Sequence, residues 1–167
     1  MTPPPSSARL HAGVATGPRL LLADHHQRIV EACRALRASA RAGHPPALID
    51  RYQVLERAVL EHLEAEEAVL LPGYTAHAPE DARAIREDHA EIRKLLLEIG
   101  AEVGLAVVRF DTLEDLIDRM QAHAAREGAS MYSWAQVHLT LSMKRRLFLR
   151  IVRSLRELAG IRSLPAT

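Results

Sequence analysis

Apolar residues recur along the chain at alternating steps of four and three, the spacing that keeps side chains on one side of an α-helix. Pro and Gly punctuate this pattern into five predicted helices. The first starts at 16–18, with Pro18 near the first helical position, and runs to about Ala42, where Gly43, His44, Pro45 and Pro46 stop it. The second covers about Ala47 to Leu71 and ends at Pro72 and Gly73. The third opens at Pro79 and fades through Gly100 and Gly104. Asp111 and Glu114 form a D-x-x-E capping signature for a fourth that continues to about Gln136. A basic, amphipathic fifth covers about Ser142 to Leu158. Long helices with short connections predict an all-α fold, an up-down-up-down four-helix bundle with an additional C-terminal helix. Residues 1–15, rich in Pro, Ser and Ala without periodicity, are expected to form a flexible arm, 16–159 the bundle domain and 160–167 a tail.

Within this pattern the polar interruptions are ordered. The seam of the first helix reads Leu22, His26, Ile29, Cys33, Leu36, and that of the third reads Ile85, His89, Ile92, Leu96, Ile99, each residue 63 positions after its counterpart. The second reads Leu55, Val59, His62, Glu66, Val69, and the fourth reads Leu116, Met120, His123, Glu127, Ser130, with an offset of 61. The chain is therefore a helix pair repeated twice, with histidine or H-x-x-x-E at matching places on the inner face.

Composition narrows the function classes. Of 167 residues, 48% are apolar and 26% charged, the balance of one globular domain, and aromatics at 4% argue against a sheet. The formal charge of +1 gives no general positive field, so nucleic acid is not an expected partner. No stretch approaches the roughly 20 apolar residues of a membrane span. The start carries no apolar run of signal-peptide length, and the single cysteine, Cys33, cannot form an internal disulfide. A cytoplasmic protein is expected.

A glutamate on a core-facing stripe is costly if ionised and unpaired, and a buried histidine needs a partner. Counting residues at about 1.5 Å each along antiparallel helices places His26, His62, Glu66, His89, His123 and Glu127 in one layer near one end of the bundle. A spacing of four puts both members of each H-x-x-x-E on one face, where they can hold a metal centre jointly. Four imidazoles and two carboxylates without a thiolate suit iron, manganese or zinc. They are enough for a dinuclear site bridged by Glu66 and Glu127 and capped by the histidines. The alternatives are a metal-free buried polar network, or His25 in place of His26.

The ordered segments DHHQRI at 24–29, HLEAEEAVLLP at 62–72, EDHAEI at 87–92 and HAAREGASMYSWA at 123–135 resemble the four motifs of the hemerythrin-like HHE cation-binding family. The resemblance spans about 18–136. It implies a four-helix bundle with a non-haem di-iron centre that binds or senses O2, NO or peroxide, and it carries the same six residues over as metal ligands. The chain departs from the oxygen carriers of the family at Arg93, where they have a second histidine four residues after that of the third motif. It also has Gly128 where Glu67 follows Glu66, and Ser133 in the place of Pro72. If Arg93 turns inward, an open metal position beside its guanidinium suits an anionic or reduced-oxygen ligand; outward, it is expected to pair with Glu98 or Asp88.

The functional expectation is a metal-binding protein, with iron first among its cofactors. A di-iron enzyme that decomposes peroxide, or an interaction protein with a structural metal, are the alternatives. The remaining histidines, His11, His44, His77 and His138, lie off the seam and are expected at the surface, and Cys33 is expected as a small buried apolar group. Glu61, Glu64 and Glu67 are expected on a solvated face, and the basic helix is expected to pack on the bundle rather than on a membrane.

Overall fold

The computed structural model describes residues 17–43 and 45–161. Among them are seven helices and no strand: α1 (Pro18–Ala42), α2 (Pro45–Val69), α3 (Leu71–His77), α4 (Pro79–Gly104), α5 (Phe110–Ala129), α6 (Met131–His138) and α7 (Leu141–Ile161). The expected arm at 1–15, His11 and His44 and most of the expected tail lie outside the described residues. No helix among the described residues is long and apolar enough to cross a membrane.

The four seam-bearing helices close a ring in which α1 packs on α2, α2 on α4, α4 on α5 and α5 on α1. This is a helical bundle, and α7 lies across its α1 and α2 side with Leu147, Ile151, Ser154 and Leu158 buried. The basic helix thus packs on the bundle, its arginines at the outer face.

Helix boundaries follow local chemistry. Pro18 opens α1 in its first turn, where a missing N–H costs nothing, and Gly43 ends it at φ 71°, a left-handed conformation that glycine adopts without strain. As expected, α4 ends at Gly104, after passing through Gly100, where a Cβ would lie 2.5 Å from the Tyr52 hydroxyl, which donates to the Leu96 carbonyl at 2.8 Å.

Three expectations are corrected. The second predicted helix does not simply end at Pro72. The chain yields at Leu70 and restarts as α3, because proline cannot donate within a continuing helix but fits the first turn of a new one. The fourth predicted helix breaks at Ser130 (φ −124°, ψ −79°), separating α5 from α6, and the Ser130 hydroxyl donates to Asp81 at 2.7 Å. Asp111 and Glu114 form no capping box. Instead Glu102, from the end of α4, accepts the Arg109 backbone N–H and the Thr112 hydroxyl at 2.9 Å each, while Asp111 pairs with the Arg109 guanidinium.

The core is in two parts. One cluster contains Ile29, Leu36, Leu55, Leu63, Ile92, Ile99 and Met120; the other contains Leu22, Ala65, Leu70, Ile85, Met131 and Ile151. On α1 and α4 the histidine falls between residues of the two clusters, His26 between Leu22 and Ile29 and His89 between Ile85 and Ile92, and on α2 the chain passes from the first cluster to the second between His62 and Glu66. A buried polar layer is therefore capped by apolar packing on both sides.

Candidate metal centre

Four helices deliver the six seam residues to this layer: α1 brings His26, α2 His62 and Glu66, α4 His89, and α5 His123 and Glu127. All are buried, and five have no exposure at all; His26 alone retains 4%. Their Nε2 and carboxylate atoms converge. His62 Nε2 lies 2.7 Å from His26 Nε2 and 3.3 Å from Glu66 Oε1. His123 Nε2 is 3.2 Å from Glu127 Oε2 and 3.8 Å from Glu66 Oε2. His89 Nε2 is 3.4 Å from Glu66 Oε2 and 3.6 Å from Glu127 Oε1, and His26 Nε2 is 3.5 Å from Glu127 Oε2.

Two overlapping sets have ligand atoms within 4.8 Å of one another: His26, His62, His123 and Glu127, and Glu66, His89, His123 and Glu127. The sets share His123 and Glu127. Glu66 Oε2, Glu127 Oε1 and the Nε2 atoms of His89 and His123 are buried without a hydrogen-bond partner. Such atoms are rare in folded proteins, and a bound cation is one way to satisfy them together. The donor set therefore fits a metal ion.

Electrostatics prepares most of these groups as ligands. Burial pushes His26 down to about 3 and His123 to about 4, against the opposing attraction of Glu66 on both. His62 is likewise held well below its ordinary value by burial. These imidazoles are neutral at pH 7, with a lone pair to give. For Glu66 burial acts upward, but His62 and the other surrounding imidazoles outweigh it and hold the carboxyl low. Glu127 is pushed up by burial and by the neighbouring Glu66 charge. His89 is the exception: burial opposes its proton, but the carboxylates of Glu127, Glu66 and Glu67 raise it to about 10. Without metal, a proton at His89 compensates the carboxylates.

Around the six lies a second ring of hydrogen bonds. Glu67 Oε1 accepts from His89 Nδ1 at 2.8 Å, and Arg93 donates to both oxygens of Glu67 at 2.8 Å each. Arg93 thus faces neither the cluster nor the partners expected for it: Asp88 pairs with Arg119 and Arg126, and Glu98 with Arg109. Glu67 is correspondingly not part of the solvated face. His25 is fully buried, with Nδ1 2.8 Å from His62 Nδ1 and Nε2 2.9 Å from the Ser154 hydroxyl of α7. It backs the cluster rather than joining it, as the seam phase requires. The Tyr132 hydroxyl, brought inward by the break at Ser130, lies 2.5 Å from Glu66 Oε1 and 2.6 Å from Glu127 Oε2, so that its single proton is shared between the two carboxyl groups, and 3.4 Å from His26 Nδ1.

The sequence reading missed Glu67 and Ser154. Ser154 had a signal, since Leu147, Ile151, Ser154 and Leu158 follow the same four-three-four step with one polar member. Glu67 had none, lying one residue off the seam. His77 and His138 are exposed and flank Trp134, and Cys33 is buried with its thiol pushed up to about 12 by burial.

The family model described as the hemerythrin HHE cation binding domain matches residues 18–135, which include all six clustered residues. No curated protein and no solved structure matches the chain significantly.

Proposed function

The chain belongs to the hemerythrin HHE cation-binding domain family, and we propose that His26, His62, Glu66, His89, His123 and Glu127 hold a dinuclear non-haem iron centre that binds or senses O2, NO or peroxide. The observation that carries this reading is the set of orphaned Nε2 and carboxylate atoms facing one another inside a buried layer. A metal-free polar network would leave none of them unpaired. Bound iron would supply a redox-active cation with a coordination position for a small ligand.

The chain's own residues have definite parts. The four imidazoles would donate through Nε2, with Glu127 and His123 in both ligand sets and Glu66 in one. Glu67 holds His89 by its Nδ1–H, and His25 backs His62, so both rings keep their orientation. Tyr132, whose hydroxyl burial and the two carboxylates hold far above its ordinary range, keeps its proton and donates it as a hydrogen bond. Manganese or zinc are the other cations this donor set accepts.

The bundle is read as up-down-up-down. That order is supported by the core, since α1 and α4 meet one apolar cluster before their histidine, at Leu22 and Ile85, whereas α2, at Val69, and the α6 segment that follows α5, at Met131, meet the same cluster after theirs. A cytoplasmic setting is proposed, where a thiol such as Cys33 stays reduced.

The test is elemental analysis of the purified protein, with absorption spectra before and after anaerobic reduction and O2 exposure. About two irons per chain, one for each of the two overlapping ligand sets, with oxygen-dependent visible bands, are expected. Zinc alone, or no metal from iron-replete cells, would overturn the reading.

A further inference from the structure

The two halves of the bundle are related by the repeat, but their flanks differ at one matched pair. The 63-residue offset that relates His26 to His89 also relates Val30 to Arg93. The 61-residue offset that relates Glu66 to Glu127 relates Glu67 to Gly128. Between α2 and α4, Arg93 and Glu67 form a two-pronged bridge over His89, which has no exposure. Between α1 and α5, the corresponding residues are Val30 and Gly128, and no bridge can form.

A cleft of about 520 Å³ opens at that place, lined by Val30 and Gly128 and reaching His26 and Tyr132. A Cβ added at Gly128 would meet nothing within 4 Å, so the absent side chain leaves open space. His26 is also the only one of the six clustered residues with any exposure. The asymmetry therefore seals one side of the centre and leaves the other accessible.

The rim of the cleft carries charge of one prevailing sign. Arg19 and Arg34 are both exposed, and neither forms an ion pair among the described residues. Glu31, the one acid on the rim, is shared with Arg28 at 4.0 Å. Two guanidiniums at the rim of a cleft with low-dielectric walls raise the local concentration of anions and their rate of entry.

We propose that the cleft between α1 and α5 is the port of the centre and that it admits small anions, drawn in by Arg19 and Arg34 and delivered beside His26 and Tyr132. This rests on the reading of the cluster as a metal site. It differs from the expectation at Arg93, whose guanidinium is committed to Glu67.

The experiment rebuilds the missing bridge. Val30→Arg with Gly128→Glu copies the sealed flank, and Gly128→Phe plugs the same open space without charge, on a helix that tolerates the change. Arg19→Glu with Arg34→Glu reverses the rim. Each protein is loaded with iron, assayed for metal per chain, and mixed with azide as a probe anion, following the rate of the absorption change and its dependence on salt.

Sealing or plugging should slow azide entry by about tenfold or more at unchanged metal content, and reversing the rim should slow it similarly and abolish its acceleration at low salt. Azide entry at the native rate in the plugged and sealed variants, with metal intact, would overturn the port. Slowing by plugging but not by rim reversal would overturn the selection for anions. Absence of metal from the native protein would instead refute the metal reading on which the port rests. Should the double variant not fold, Gly128→Phe alone decides.

Discussion

The Arg93 guanidinium grips the Glu67 carboxylate through both terminal nitrogens at 2.8 Å, and the same carboxylate accepts His89 Nδ1–H at 2.8 Å. A position where family oxygen carriers have another histidine thus supports an existing one. Arg93 is only one-third exposed, and its partner is similarly half-buried, so the pair is partly shielded from solvent. Glu67→Gln should weaken metal affinity by about 10- to 100-fold, the usual cost of losing an outer hydrogen bond to a ligand imidazole. Arg93→Ala should weaken it less, because Glu67 can still reach His89. Competition titration against a chelator checks the order, and equal native affinity in both variants would show that the bridge does not support the centre.

His26 directs Nε2 into the cluster, whereas His25 is held between His62 and Ser154 behind it. His26→Ala should cost more bound metal than His25→Ala, since only His26 directs Nε2 at the cluster. Ser154→Ala, which removes the partner of His25 Nε2, should lower stability by about 1 kcal/mol and leave metal stoichiometry intact. Metal content and denaturant midpoints report both effects. A reversed order for the two histidines would place the first-helix register one residue off.

Tyr132→Phe tests the hydroxyl between the glutamates. Without metal, Glu66 and Glu127 lose a shared buried donor, and the protein should be destabilised by about 1 to 3 kcal/mol. With metal bound, the carboxylates have a cation and the loss should be smaller. Denaturant unfolding of both forms reads the difference; equal losses would mean that the hydroxyl and the metal do not serve the same carboxylates.

The pH dependence of the metal-free protein follows from burial. His25 and His123 are lowered to about 4 and His26 to about 3, against 6.5 when unfolded. Between these values the unfolded chain binds more protons, so the stability contributed by each neutral imidazole is present above pH 6.5 and is lost as pH falls toward 4, by about 1 kcal/mol per pH unit per group. His89, raised to about 10, acts oppositely: its contribution is complete below pH 6.5 and is lost as pH rises through 10. Thermal midpoints of the metal-free protein should therefore fall steeply from pH 6.5 to 4, and a flat profile there would contradict the buried neutral imidazoles.

The repeat of seams made the centre legible in the sequence, because burying histidine and glutamate at helical phase is costly enough to be unlikely without a common purpose. The same periodicity selected His26 over His25. It could not reveal Glu67, whose place depends on how α2 and α4 face each other, nor the breaks at Leu70 and Ser130. Pro72 marks a boundary, but only the packed structure distinguishes an end from a restart. At Ser130 a favourable local helix pattern yields to the hydroxyl bond with Asp81 and to the inward turn of Tyr132. The capping signature at Asp111 and Glu114 failed because Glu102, at the end of the preceding helix, folds back across the connection and binds the start of α5 instead.

The most direct test of the six-residue centre is the metal content of the His62→Ala, His123→Ala variant beside the native protein. The substitutions take one imidazole from each H-x-x-x-E and touch both overlapping ligand sets. About two metal ions per native chain are expected, following those two sets, with loss of most of them in a variant that remains helical by circular dichroism. Full metal stoichiometry in the folded variant would contradict the six-residue centre.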